Sequence, residues 1–317
     1  MERRILRILV PSRSIDQSKH KSEYMYVYEN DKRSTPITDA HVLDRIRALH
    51  VPPAYTNVVI YPREEDKIQA FGYDAKGRKQ TTYAKWFVEQ QSAIKFDRVL
   101  RLKRIIPKIQ ADVNRTLKGA VDALPKLPVI TNHVQVCIVV KLMMLCNFRI
   151  GNSVNATKYK SYGLTTIQWR HIAFDDDDDE NAKVTFSFVG KKGVLNEAGC
   201  TDKRIVKLLQ HMYMHMQHNN SEVTENQSVF TISASHVNEY LKSFSQSDRE
   251  DISSKDLRTW QANALFMKYF NKNKKDATMS LKKRQTYAVE RVAEALHNTP
   301  AVCRRSYIYP EFLMSTP

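Results

Sequence analysis

The sequence predicts an α+β fold in two parts: a β-rich N-terminal domain over residues 1–91 and a larger, mostly α-helical domain over residues 92–317. Three observations predict it. Short β-branched and aromatic runs bounded by turn residues occupy the first part. From QQSAIKFDRVLRLKRIIPKIQ onward, apolar residues recur at the spacing of one helical face. A single β-hairpin pattern interrupts the helical part.

Taken in order, YMYVYEN and NVVIYP read as strands. VPPAY, with two prolines, cannot continue a helix and is a loop. DAKGRKQTTY is a glycine-bearing turn followed by a polar strand. Ile94, Val99, Leu102, Ile105 and Ile106 then mark a helix. SYGLTTIQWRHIAF, the acidic run Asp175–Asp179 and KVTFSFVGKKGV read as strand, turn and strand, with Lys191 just past the second strand. In SSKDLRTWQANALF, Ser253 and Ser254 are candidate N-caps of a helix that begins with Lys255 and Arg258. NKNKKDATMSLKKRQ reads as a basic connection. The sequence contains no internal repeat.

The 317 residues carry 42% hydrophobic residues and a formal net charge of +16. Such an excess favours a polyanion through counterion release, nucleic acid first. A membrane surface finds no support: the longest apolar run, VCIVVKLMMLCNF, is broken by Lys141 and too short to span a bilayer. MERRILRILV lacks the apolar core and cleavage site of a signal peptide. Cys137, Cys146, Cys200 and Cys303 form no CxxC pair, and are expected as free thiols in a reducing intracellular compartment. The acidic run lacks the spaced ligands and turn glycine of a calcium loop, so a solvated hairpin tip is expected. His211 and His215 share a helical face without the glutamate of a zinc-protease motif, so a surface face is expected there.

The remaining candidates are CNFRIGN with Arg149, FVGKKGV with Lys191, KDLR with Lys255 and Arg258, and HNTPAVCRRSY with Tyr307. Each alone reads as an ordinary surface or helix-end group. In this order they resemble the active-site series of type IB DNA topoisomerases, in the small poxvirus-like and bacterial-like branch. KGRKQ at 76–80, FDR at 96–98, SYGLTT at 161–166 and FVGK at 188–191 add to the resemblance. It covers nearly all of the chain after about residue 40; residues 1–40 show no match.

The resemblance implies a catalytic domain of the type IB topoisomerase and tyrosine recombinase kind, a clamp around duplex DNA, and a monomer on that DNA. It implies Tyr307 as nucleophile, Arg149 and Arg258 on the scissile phosphate, Lys191 as general acid and Lys255 sharing the proton path. Poxvirus-like members carry a histidine nine residues before the nucleophile; here Asn298 stands there, as in bacterial-like members, and His297 is its competitor. Lys76, Arg78, Lys79, Gln80, Tyr83, Asn152 and Asn155 are expected at the DNA. In poxvirus enzymes a lysine and a tyrosine stand where Asn152 and Asn155 do, and a tyrosine where Thr81 does; their loss implies relaxed or altered sequence preference.

The implied chemistry is physically consistent. Only about one free tyrosine in a thousand is ionised at neutral pH, and nearby guanidiniums favour the phenolate and a pentacoordinate phosphate. Two arginines binding the non-bridging oxygens supply charge that a metal otherwise would. Bond energy held as phosphotyrosine implies no ATP. Two rivals stand beside this reading. A tyrosine recombinase would show HxxR where this chain has KDLR. A non-catalytic DNA-binding or packaging protein matches the charge but gives no reason for the catalytic series.

Overall fold

The computed structural model describes residues 3–10, 24–126, 129–175, 182–219, 225–245, 252–272 and 279–314. The chain divides into two compact units, Met1–Ile94 and Lys95–Pro317. The helical pattern expected near residue 91 begins earlier: α2 (Lys85–Ala123) runs through that position.

In the N-terminal unit an antiparallel sheet has the order β2-β1-β3-β4-β5. The strands are β1 (Ile5–Leu9), β2 (Tyr24–Tyr28), β3 (Thr56–Ile60), β4 (Ile68–Tyr73) and β5 (Lys79–Tyr83). α1 (Ala40–Ala48) starts at Asp39, whose carboxylate accepts the His41 and Val42 N–H groups. Its Ile46 packs with Ile5, Val58, Ile60 and Ala70 into a small core. The turn between β4 and β5 closes on Asp74. Its carboxylate accepts the N–H groups of Lys76 and Arg78, both at 3.0 Å, and Gly77 supplies a φ of +69°.

In the C-terminal unit α3 (Asn132–Cys146) is the central element, buried along most of its length. Leu102, Ile106, Ile109, Val113 and Leu117 of α2 share its core. The same core takes in β6 (Ile172–Asp175), β7 (Lys183–Val189), β8 (Leu195–Cys200), α5 (Lys203–Asn219) and α6 (Ala234–Lys242). A second cluster joins α7 (Ser254–Lys272), α8 (Leu281–Ala295), α9 (Pro300–Ser306) and α10 (Pro310–Met314). α4 (Ser153–Tyr159) lies between α3 and the β strands in sequence. The four cysteines are buried free thiols.

The expected hairpin is a three-stranded antiparallel sheet, β6-β7-β8. The strand expected over SYGLTTIQWRHIAF is confined to its end; Leu164–Thr166 and Trp169–His171 are short 3₁₀ turns instead. The reason is tertiary. The Leu164 and Thr165 N–H groups are taken by the carbonyls of Arg149 and Ile150, at 2.9 and 2.7 Å. Asp175 closes β6, while 176–179 of the acidic run and 273–278 of the basic connection lie outside the described residues.

Candidate active site

Arg149 is placed by the way α3 ends. Asn147 takes a left-handed conformation (φ 53°) and its N–H returns to the Met143 carbonyl, stopping the helix. Phe148 then turns into the core against Phe186 and Phe188 of β7, with ring centroids at 5.9 and 4.9 Å. The next residues rest on SYGLTT. A side chain on Gly163 would come within 2.5 Å of the Gly151 backbone, so the two chains approach only because both are glycine. The motif is thus a seat for the arginine loop.

Arg258 lies in the first turns of α7 and is 4% exposed. Its Nη1 donates to the carbonyl of Asn147 and its Nη2 to the carbonyl of Leu296. It therefore ties the end of α3 to the end of α8. Ser253 is the N-cap of α7, and its N–H and hydroxyl both donate to the buried Asp256 carboxylate, at 3.1 and 2.5 Å. The other oxygen of Asp256 accepts from Arg98 Nε at 3.0 Å, which joins the FDR run of α2 to KDLR.

Tyr307 follows α9 directly. Thr299 caps that helix, Pro300 occupies its first turn, and Tyr307 is its C-cap residue. After α8, His297 has a φ of +49° and its ring lies 5.4 Å from that of Phe148, whereas Asn298 Oδ1 accepts from Arg149 Nη2. Of these neighbours it is Asn298 that joins Arg149, and His297 that packs on the core.

The Arg258 guanidinium carbon lies 5.6 Å from the centre of the Tyr307 ring. Burial alone would raise the phenol's pKa, but the charges and hydrogen bonds of Arg258 and Arg149 outweigh it and draw Tyr307 below the usual tyrosine value. Burial, with repulsion from Arg149, lowers Arg258 to about 10. Among the described residues, Arg149 Nη1, Arg258 Nε and Asn298 Nδ2 are buried donors with no hydrogen-bond partner. Such donors, on two arginines that act on one phenol and on the asparagine bonded to Arg149, form a ready anion site.

The two lysines are placed differently. Lys191 opens a 3₁₀ turn between β7 and β8 in which Lys192 and Gly193 have φ of 64° and 76°. Gly190 is pressed against Asn196, where a side chain would meet Nδ2 at 2.3 Å. Lys191 itself is exposed, without a hydrogen bond or ion pair among the described residues. Lys255 is exposed in the first turn of α7.

The expected DNA contacts fall in two places. In the N-terminal unit Lys76, Arg78, Lys79 and Tyr83 are exposed, and Gln80 is half-buried. Arg78 and Gln80 also donate to Asp74, at 2.8 and 2.9 Å, and hydrogen bonds from Arg78 hold that carboxyl well below the usual range. Lys79 Nζ stands 4.0 Å from the Phe71 ring centre, and Thr81 is half-buried in β5. In the C-terminal unit Asn152 and Asn155 are exposed on α4, where the Asn152 side chain caps the helix by accepting the Asn155 N–H at 3.2 Å. His211 and His215 lie one turn apart on α5, and no group of three or more His, Cys, Asp or Glu is gathered for a metal among the described residues.

Three side chains that sequence reasoning passed over serve this region. Asp256 joins Arg98 to Ser253. Asn263 donates to the Tyr307 carbonyl at 2.8 Å and accepts the Tyr309 N–H at 2.7 Å. Lys95 donates to the Ser306 carbonyl at 2.9 Å. Lys95 adjoins FDR and Asp256 lies inside KDLR, so motif proximity was the available signal for those two; Asn263 had none.

No helix among the described residues is long and apolar enough to cross a membrane. Residues 78–309 match the family model of the eukaryotic DNA topoisomerase I catalytic core. Residues 23–74 match that of the bacterial DNA topoisomerase IB N-terminal domain. Similarity thus begins well before residue 40, correcting the expectation that the first forty residues match nothing. DNA topoisomerase 1B of Acanthamoeba polyphaga mimivirus is 25% identical over 303 residues, 93% of this chain and 84% of that protein. DNA topoisomerase I of Monkeypox virus is 24% identical over 282 residues, 86% of this chain and 82% of that protein. With the catalytic-core match running through Arg149, Arg258 and Asn298 to Tyr307, the chain belongs to the type IB DNA topoisomerases.

Proposed function

We propose that the chain relaxes supercoiled duplex DNA by a transient nick in one strand, with Tyr307 as nucleophile. The observation that carries this reading is the convergence of two guanidiniums on one phenol, with the Asn298 amide joined to Arg149 and buried donors to spare. The Tyr307 oxygen attacks phosphorus, the bond to the 5′ oxygen breaks, and a 3′-phosphotyrosyl linkage forms. Arg149, Arg258 and Asn298 hold the non-bridging oxygens. Lys191 gives its proton to the departing 5′ oxygen, with Lys255 on the proton path. Rotation of the free end releases supercoils, and reversal of the same step reseals the strand.

The arginines supply the charge neutralisation the phosphorane needs, and the phosphotyrosine keeps the bond energy; the reaction on this reading uses neither a metal nor ATP. The exposed cations of the β4–β5 turn and the α4 asparagines are its DNA contacts. The two units close as a clamp on the duplex, and one copy acts alone, inside a compartment that holds DNA. Relaxation of a plasmid in EDTA without ATP tests the activity. Denaturant trapping of a covalent protein–DNA adduct tests the chemistry. Tyr307→Phe is expected to abolish the adduct with duplex affinity largely kept; an adduct formed by that variant would move the nucleophile to another tyrosine.

A further inference from the structure

Lys95 stands on α2 just ahead of the FDR run, half-buried where a helix lysine would ordinarily reach solvent. Its Nζ donates to the carbonyl of Ser306 at 2.9 Å, and its ammonium lies 3.9 Å from the ring centre of its neighbour Phe96. Ser306 is the last residue of α9 and the one before Tyr307. A carbonyl at a helix end has no partner within the helix, so a cation there gains a hydrogen bond and satisfies the group. The next carbonyl, that of Tyr307, is held by Asn263 of α7. The two peptide groups flanking the Tyr307 side chain are therefore gripped from two helices.

The helix that supplies Lys95 is itself fastened to the site. Arg98, one turn on, binds the buried Asp256 carboxylate that also organises the start of α7. We infer that Lys95 is a positioning residue for the cleavage reaction: by holding the Ser306 carbonyl it sets the direction from which the Tyr307 phenol meets the phosphorus. This rests on the reading of Tyr307 as nucleophile. Attack in line with a leaving group tolerates little misplacement, and an error of about 1 Å can cost roughly 10²-fold in rate.

The grip is sensitive to charge. Lys255 and Asp256 of α7 are the charged groups that act on Lys95 Nζ. Burial, together with repulsion from Lys255 and against attraction to Asp256, brings its ammonium down to about 8. Because the cation is the better donor, the grip is strongest below that value and weakens as pH rises through it.

The test is single-turnover cleavage of a duplex oligonucleotide whose downstream strand is short enough to escape, so that the adduct accumulates. Lys95→Met keeps the apolar stem and is expected to slow adduct formation roughly 10- to 100-fold, with duplex affinity unchanged. Lys95→Arg is expected to restore most of the rate. A substrate with sulfur at the 5′ bridging position should be slowed by Lys95→Met as much as the oxygen substrate, since a better leaving group does not correct a misplaced nucleophile. The wild-type rate should decline relative to that of Lys95→Arg above about pH 8. A wild-type rate in Lys95→Met, or its full recovery on the sulfur substrate, would overturn the inference. If thermal melting shows that Lys95→Met does not fold, the pH profiles of wild type and Lys95→Arg decide, and coincident profiles overturn it. Failure of wild type to form an adduct that Tyr307→Phe lacks would instead sink the nucleophile assignment.

Discussion

The arginine cluster and the lysine turn are both expected to act on one phosphodiester, yet they are built in opposite ways. Arg258 is buried and bonded to two backbone carbonyls, and Arg149 is held by Asn298. Lys191 sits exposed on a turn that needs two left-handed residues. The difference follows from what each group must do. Guanidiniums that stabilise charge are most effective when fixed in a water-poor site before the reaction, because no reorganisation is then required. A proton donor must reach an oxygen that arrives with the substrate, and a solvated ammonium on a turn loses nothing while it waits.

Replacing one group from each region tests this contrast most strongly. Lys191→Ala is expected to slow cleavage of an ordinary duplex by roughly 10²–10⁴-fold, the range of positioned proton transfer. It should recover nearly fully on a 5′ bridging-sulfur substrate, because a thiolate needs no proton to leave. Arg258→Ala should be comparably slow and recover little. The two should also part in stability. Arg258→Ala removes two charge-assisted hydrogen bonds to buried carbonyls and should lower stability by about 3 kcal/mol, whereas Lys191→Ala should stay within about 0.5 kcal/mol. Equal sulfur recovery by both variants would erase the division between charge stabilisation and proton donation.

A smaller effect sharpens the electrostatic side. Phenolate absorbance of wild type minus that of Tyr307→Phe should titrate below the ordinary tyrosine value near 10, because Arg258 and Arg149 outweigh burial. Arg149→Ala should move the midpoint upward. The sign for folding follows: a phenol with a lowered folded pKa adds stability only as pH rises past that value, fully so above the unfolded pKa near 10. A midpoint at or above 10 would mean that desolvation prevails.

The smallest expected effect is on sequence preference. Asn152 caps α4 and Asn155 is exposed on it. Cleavage-site mapping should show relaxed or altered preference. Asn152→Ala should cost about 1 kcal/mol locally through the lost cap, with little change in cleavage rate. Confinement of cleavage to a single short sequence would assign the base reading to other residues.

By itself the sequence determined the α+β division and the strands β2, β3 and β5, because these rest on local periodicity, whereas Arg149, Lys191, Arg258 and Tyr307 stood out only through the resemblance of their motifs to a family. It misjudged SYGLTT, which has strand-like residues but gives its N–H groups to the Arg149 loop. The spacing to Tyr307 already favoured Asn298 over His297; the physical reason, a left-handed turn after α8 that sends the histidine ring onto Phe148 and leaves Asn298 on Arg149, came only with the structure. The roles of Lys95, Asp256 and Asn263 were not legible for a related reason, although Lys95 and Asp256 lie in or beside motifs. They act on backbone carbonyls or on partners far along the chain, 211 residues away for Lys95 and 158 for Asp256. A carbonyl has the same chemistry in every residue, so no sequence pattern marks which one a side chain will hold; packing of α2, α7 and α9 decides it.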